Sequence, residues 1–296
     1  MSRIFESSEL ILNPDGSAFH LHIKPGELGK YVLLVGDPGR VDLISSFFDD
    51  KLHSSSNREF YSVTGTYSGI KITALSTGIG TDNIDIVLNE LDALVNIDFN
   101  TRQRKDQTES LNLIRIGTSG AIQDDIEPGS FVVSKAVIGF DGVLNFYKLR
   151  NDVCNLNLEK EFRKHSTWPE ILPAPYCVNV DTELYDIFKR EFISGITISA
   201  NGFYAPQGRE LRAEIAFPDM FNNFHKFRFN SDRITNFEME CSALYGLSRI
   251  FGHRALTVCA IIANRSKKTY LGDYSAAISK LIKTVLSGIA KNDERQ

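Results

Sequence analysis

The segment NGFYAPQGRELR, residues 201–212, sets a phenyl ring, a phenol, two amides and two guanidiniums in a short stretch punctuated by Gly and Pro. Phe203 offers a face for stacking. Gln207 and Arg209 offer paired hydrogen bonds to a flat polar edge. A planar heterocycle such as a nucleobase is one occupant for such a loop; a surface turn that binds nothing is the other reading. A second segment, VGDPGRV at 35–41, reads as a strand ending at Val35, a turn at Gly36 and Asp37, and a helix starting at Pro38, whose missing N–H is harmless there. An anion at that point would meet free backbone N–H groups, the helix dipole and the Arg40 guanidinium. The segment is neither GxGxxG nor a Walker loop, so nucleotide-phosphate cradles of those kinds are not supported. The alternative is an ordinary strand–helix turn with a solvated Arg.

Three further segments carry charge in unusual places. In RIGTSGAI, 115–122, Arg115 stands inside an apolar strand, where an unpaired charge would cost several kcal/mol. With the Thr118 hydroxyl and the backbone amides of GTSG it could bind phosphate or carboxylate; pairing to a buried acid is the other reading. In TNFEMECSALYGL, 235–247, Glu238 and Glu240 flank Met239 at the expected start of an apolar helix. On a helix they would point roughly 200° apart and form no acid–base dyad. One could face a ligand, since a carboxylate suits two adjacent hydroxyls, or both could simply favour the helix N-terminus. In AIIANRSKK, 260–268, Arg265 follows a buried strand and reads equally as a basic turn. Arg58, in SSNREFYSVTG, reads by itself as a solvated side chain.

The elements that must position these residues follow from hydrophobic patterning. Apolar, β-branched runs at 31–36, 61–67, 70–76, 111–117, 130–138, 195–200 and 255–263 read as strands, several of them covered on both faces. Helical spacing appears at 82–95, with Asp82 as a cap, at 239–251, ending at Gly252, and at 274–289. Strands interleaved with helices predict an α/β fold, a single domain with a central mixed β-sheet flanked by helices. No Pro/Gly/Ser-rich linker divides the chain. Residues 97–110 read as a long exposed loop or insertion. Ligands of open α/β sheets bind at strand carboxyl ends, where most of these segments lie.

Bulk properties narrow the classes. The chain has 296 residues, 42% of them hydrophobic, and a formal net charge of −4, which gives no support to a nucleic-acid binder. No apolar stretch approaches the roughly 20 residues of a membrane span, and the N-terminus lacks the pattern of a signal peptide. Cys154, Cys177, Cys241 and Cys259 are scattered without CxxC spacing, so no metal site is expected and the cytoplasm is the expected compartment.

Taken in order, the segments resemble the uridine phosphorylases of the nucleoside phosphorylase superfamily. The matching pieces are FHLHIKPGELGKYVLLVGDPGRV (19–41), NREF (57–60), STGIGTDN (76–83), RIGTSGAI, FYAPQGR (203–209), NFEMECSALYGL (236–247) and IIANR (261–265). GDPGR and RIGTSGAI are superfamily-level, whereas Gln-x-Arg with the later Asn-Arg resembles the pyrimidine branch. The resemblance implies an N-terminal extension over 1–18 and a nucleoside phosphorylase domain over 19–296. It implies phosphate among Gly36, Arg40, Arg115 and Thr118, with Arg58 supplied by a neighbouring subunit. Uracil would stack near Phe203 and be read by Gln207 and Arg209, with Arg265 orienting their groups. Ribose would be held by Met239 and Glu240, with Glu238 close by and His20 reaching across the subunit interface. The expected reaction is phosphorolysis of a pyrimidine nucleoside by a homo-oligomer with shared sites, a dimer or a hexamer of dimers. Phosphate is then a co-substrate and no cofactor is needed. The runner-up is a purine nucleoside phosphorylase, which the absence of Asp in Ala263–Asn264–Arg265 disfavours. A non-catalytic nucleoside-binding protein on the same scaffold is the third reading. The chain departs from the family pattern at 97–110, at 141–175, and in APQ where Gly is expected just before Gln207.

Overall fold

The computed structural model describes residues 3–294. In chain order the elements are β1 (Tyr31–Val35), α1 (Pro38–Ser45), β2 (Asp50–Asn57), β3 (Phe60–Tyr67), β4 (Ile70–Ser76), α2 (Thr81–Asn96), β5 (Ile97–Asp98), β6 (Gln103–Arg104), β7 (Asn112–Ala121) and β8 (Phe131–Gly139). They continue with α3 (Arg150–Val153), α4 (Leu156–Ser166), β9 (Tyr176–Asn179), α5 (Thr182–Phe188), β10 (Ile193–Ser199), α6 (Pro218–Phe224), β11 (Arg228–Phe229), β12 (Asp232–Glu238), α7 (Cys241–Phe251), β13 (Arg254–Asn264), β14 (Thr269–Tyr270) and α8 (Ser275–Asp293).

The main sheet runs β11-β12-β10-β8-β13-β7-β1-β4-β3-β2 and mixes parallel with antiparallel pairs, as the interleaved pattern predicts. One feature exceeds that expectation. β12 also pairs antiparallel with β7, Asn236 opposite Ala121 and Phe237 opposite Gly120. The strands β12, β10, β8, β13 and β7 therefore close on themselves as a small ring. Every residue of β1 is buried, which is why YVLLV shows no alternation. Helices α2, α7 and α8 cover the sheet with the apolar stripes read from their spacing. No helix among the described residues is long and apolar enough to cross a membrane.

Local chemistry sets the helix ends that matter. Asp37 caps α1 by accepting the Gly39 N–H at 3.0 Å, with Pro38 in the first turn. α2 begins one residue earlier than expected: Asp82 lies inside its first turn, and Gly80, at φ 103°, occupies the cap position with no side-chain cap. α7 ends where Gly252 adopts φ 79°.

The exposed-loop reading of 97–110 is corrected. β5 and β6 pair there, and Gln103 bridges to Ile4. Arg102 donates to the carbonyl oxygens of Phe5 at 2.8 Å and Glu6 at 3.0 Å, and also to that of Leu10. The polar stretch is therefore the clamp that holds the N-terminal segment. Other strands also escape the hydrophobic pattern, β2 and β12 among them. β2 is almost wholly exposed and exists by pairing with β3. β12 lies where the helix carrying Glu238 was expected to begin.

Candidate active site

Arg115 points from β7 into the interior and is 5% exposed. Two carboxylates answer its charge. Glu238 lies 3.3 Å from Nη1, and Glu240 pairs with Nη2. Burial pulls the Arg115 pKa down, but the charges of Glu240 and Glu238 outweigh it and hold it above the ordinary guanidinium value. Burial pushes the Glu238 carboxyl up, against the pull of Arg115. The divergence that a continuous helix would impose on the two glutamates does not arise, because the segment is not helical at either of them. β12 ends at Glu238 and α7 starts at Cys241, with Glu240 as its cap residue, so the carboxylates converge on one guanidinium instead of diverging. Gly117 makes room for it: a Cβ there would lie 2.1 Å from Nη1 of Arg115.

The two glutamates differ in what they hold. Glu238 accepts from the Ser199 hydroxyl, from the Glu240 N–H at 2.9 Å and from the Cys241 N–H at 3.0 Å. Its oxygens are engaged by protein donors, which makes it a fastener of β10, α7 and Arg115. Glu240 accepts the Gly80 N–H at 2.7 Å, so it also ties the start of α2 to β7. Met239, between them, is half-buried.

Arg40 joins this locus. Its Nη1 donates to the Ile116 carbonyl at 3.1 Å. Its pKa is lowered, first by burial and then by the positive charge of Arg115. Gly36 follows directly on β1, and Thr118 lies half-buried further along β7. Two guanidiniums thus come together beside the carboxyl end of β1, with Thr118 three residues beyond Arg115 on β7.

A second cluster sits at the far end of β7. The Arg209 guanidinium lies 3.9 Å from the centroid of the Phe203 ring, a cation–π contact, and donates to the Phe203 carbonyl at 2.7 Å and to the Gln207 side-chain oxygen. Gln207 is buried, whereas Phe203 is 51% exposed. Arg265 lies 5.0 Å from the Phe237 ring centroid, and its Nη1 is buried without an acceptor. Burial, and then the charge of Arg209, pull the Arg265 pKa down to about 10. Burial lowers that of Arg209 too. A Cβ on Gly120 would lie 3.5 Å from Arg265 and 3.7 Å from Arg209, which locates both over the end of β7. Among the described residues neither arginine forms an ion pair with a carboxylate. The Gln207 oxygen accepts from Arg209, and its N–H₂ group has no partner among the described residues. The cluster therefore asks for a ligand edge rich in acceptors.

No hydrogen bond or ion pair links Arg58 or His20 to either cluster. Arg58 stands exposed at the β2–β3 turn at φ 54°. His20 Nδ1 lies 2.6 Å from Glu90 on α2. Glu90 is ten residues beyond Gly80, which touches Glu240, and that is about 15 Å along the helix axis. Sequence reasoning passed over Ser199, Gly80, Phe237 and Glu90. Gly80 and Phe237 lay within quoted motifs, though neither was singled out; the other two are ordinary members of apolar or amphipathic runs. Larger grooves of about 1160 Å³ and 790 Å³ lie over α5–α8 and beside the N-terminal segment, away from these arginines.

The chain as a whole is similar to known proteins. The chain is 33% identical to the uridine phosphorylase of Thermococcus kodakarensis, over 93% of this chain and 88% of the relative. It is 27% identical to a DeoD-type purine nucleoside phosphorylase of Listeria monocytogenes, over 82% and 85%. The crystal structure of a Trypanosoma brucei nucleoside phosphorylase, described as showing uridine phosphorylase activity, matches with a TM-score of 0.85 at 29% identity, covering 95% of this chain and 99% of that one. The family model described as "Phosphorylase superfamily" matches residues 30–287. With that match spanning all the strands that carry the two arginine clusters, the chain belongs to the phosphorylase superfamily.

Proposed function

We propose that this protein catalyses the reversible phosphorolysis of a pyrimidine nucleoside, converting uridine and phosphate to uracil and ribose 1-phosphate. The observation that carries the reading is the pair Arg209 and Arg265, free of carboxylates and set beside the buried Gln207 at an aromatic face. Uracil presents two carbonyl oxygens and a flat ring, which is what those donors and Phe203 suit. The similarity to two uridine phosphorylases points the same way.

The chemistry follows from the charges. Phosphate among Arg40, Arg115, Thr118 and the Gly36 backbone would be held by charge-assisted, often bidentate contacts. As the C1′–N1 bond loosens toward an oxocarbenium-like sugar, phosphate attacks from the opposite face. The departing base takes the electron pair, and negative charge grows on its carbonyl oxygens. Arg209, Arg265 and Gln207 stabilise that charge more than they do the neutral ground state, which is what accelerates the step. Positioning of the two reactants supplies several further kcal/mol. Glu240, with Met239 beside it, faces the ribose hydroxyls; Glu238 supports them from behind.

The purine reading has the DeoD-type relative in its favour. Against it, the late strand ends on Asn264, an amide with no acidic proton for a purine, and its N–H₂ group is already held by the carbonyls of Gln123 and Ile126 at 2.8 and 2.9 Å. We further propose that the working unit is a homo-oligomer in the cytoplasm. Arg58 and His20, unconnected to their own chain's clusters, then complete the phosphate and ribose sites of a second copy.

The test is a spectrophotometric assay of uridine, thymidine and inosine cleavage with and without phosphate. Uridine cleavage that depends on phosphate is expected. Equal turnover without phosphate, or inosine preferred to uridine, would overturn the reading. Binding of uridine without turnover would favour a non-catalytic protein.

A further inference from the structure

The carboxylate of Glu90 serves a short stretch of chain far from both arginine clusters. It accepts the backbone N–H of His20 at 3.0 and 3.1 Å, accepts the N–H of Leu21 at 2.9 Å, and lies 2.6 Å from His20 Nδ1. Asn57 donates its side-chain amide to the His20 carbonyl at 2.9 Å, and the Ser55 hydroxyl donates to that of Leu21 at 2.9 Å. Asn57 immediately precedes Arg58 at the β2–β3 turn. Phe19 and Phe60 meet the imidazole edge-on, at ring-centroid distances of 4.8 and 6.2 Å. His20 and Arg58 are thus fastened into one patch, and the imidazole is gripped on three sides. Its Nε2 has no hydrogen-bond partner among the described residues, and its side chain is 26% exposed.

We propose that Glu90 is a positioning residue for His20. By taking the Nδ1 proton and both neighbouring N–H groups, it fixes the ring rotamer and the tautomer so that Nε2 faces outward, where it meets the ribose bound by a second copy of the chain. This rests on the proposed phosphorolysis with shared pockets. The physical reason is that of any carboxylate–imidazole pair: the hydrogen bond at one ring nitrogen decides what the other can do. A carboxylate is required because three donors converge on it. An amide in its place brings one oxygen and an N–H₂ group that would face donors.

The experiment compares Glu90→Gln, His20→Ala and the double variant in steady-state uridine phosphorolysis, with ¹⁵N spectra of the His20 ring. Glu90→Gln should raise the KM for uridine roughly tenfold, the usual effect of losing an outer orienting partner. The KM for phosphate should stay unchanged. The ring should pass from a single Nδ1-protonated tautomer to a mixture. In the His20→Ala background, Glu90→Gln should add nothing. A further loss in that background would show that Glu90 merely holds the segment together and would overturn the proposal. So would an unchanged uridine KM in His20→Ala, or a His20 tautomer indifferent to Glu90→Gln. Absence of phosphate-dependent turnover in the unmodified protein would instead overturn the functional reading, and this proposal with it.

Discussion

Replacing Arg115 by Met tests the central ion cluster and the catalytic reading together. The change keeps side-chain length and removes the only cation among the described residues that pairs with both Glu238 and Glu240, each 3% exposed. Breaking a buried pair by removing one partner costs about 3–5 kcal/mol. Taking about 2.1 cal/mol/K of unfolding entropy per residue over 296 residues, that is a Tm loss of about 5–8 °C. The deficit should depend on pH in a defined direction. Burial already raises the Glu238 carboxyl, and Arg115 is what opposes it. Without the guanidinium the folded-state value rises further above the unfolded one. Between those two values the folded protein binds more protons than the unfolded chain, so stability falls as pH rises through the window. The Tm loss should therefore be larger at about pH 8 than at about pH 5. Adding Glu238→Gln and Glu240→Gln should recover most of the Tm, because no buried charge is then left unpaired, while phosphorolysis stays lost. Calorimetry at the two pH values and the uridine assay read all of this. A Tm loss under about 1 °C, or one equal at both pH values, would refute the argument from burial and pairing.

Other perturbations test the remaining parts. Arg209→Met should lower kcat for uridine roughly 10²–10³-fold with little change in the KM for phosphate, since it removes a donor to the departing base; steady-state kinetics with each substrate varied decides it. Mixing inactive Arg58→Ala chains with inactive Arg209→Ala chains should restore part of the activity through one intact pocket per mixed pair. No recovery after confirmed subunit exchange counts against shared sites. Gly208→Ala should destabilise by about 1–3 kcal/mol and loosen the Gln207–Arg209 turn, because φ is 69° and the new Cβ would lie 2.7 Å from the Phe221 ring. Thermal melts and the uridine KM report both effects.

Much of this was legible in the residues themselves, for physical reasons that can be named. β1 and α1 declare themselves through an unbroken apolar run and a Pro two residues after a strand-ending Gly. α7 and α8 show their buried stripes. Arg115 drew notice because a charge inside a buried strand has to be answered by something. What escaped was whatever depends on partners distant in sequence. β2, DKLHSSSN, has no apolar face of its own and becomes a strand only through its ladder with β3. The segment 97–110 looked like loop because polar residues that bond to another segment's carbonyls resemble polar residues that bond to water. Spacing placed Glu238 and Glu240 at the start of a helix without showing which acid lay inside it, whereas the pairing of β12 with β10 and β7 draws Glu238 into the sheet.

By itself the sequence determined the buried strands and the longer helices, the strand ends at which ligands gather, and the stock of guanidiniums, amides and rings available there, because backbone preference and hydrophobic period are local properties. Only the tertiary structure decided which of those groups meet. Arg115 finds two carboxylates and Arg40 beside it, Arg209 and Arg265 are left facing one another without a counter-charge, and His20 is turned toward Glu90, away from the clusters of its own chain. Charge pairing inside a protein is settled by desolvation and distance, and distances between residues so far apart along the chain exist only once the sheet has closed.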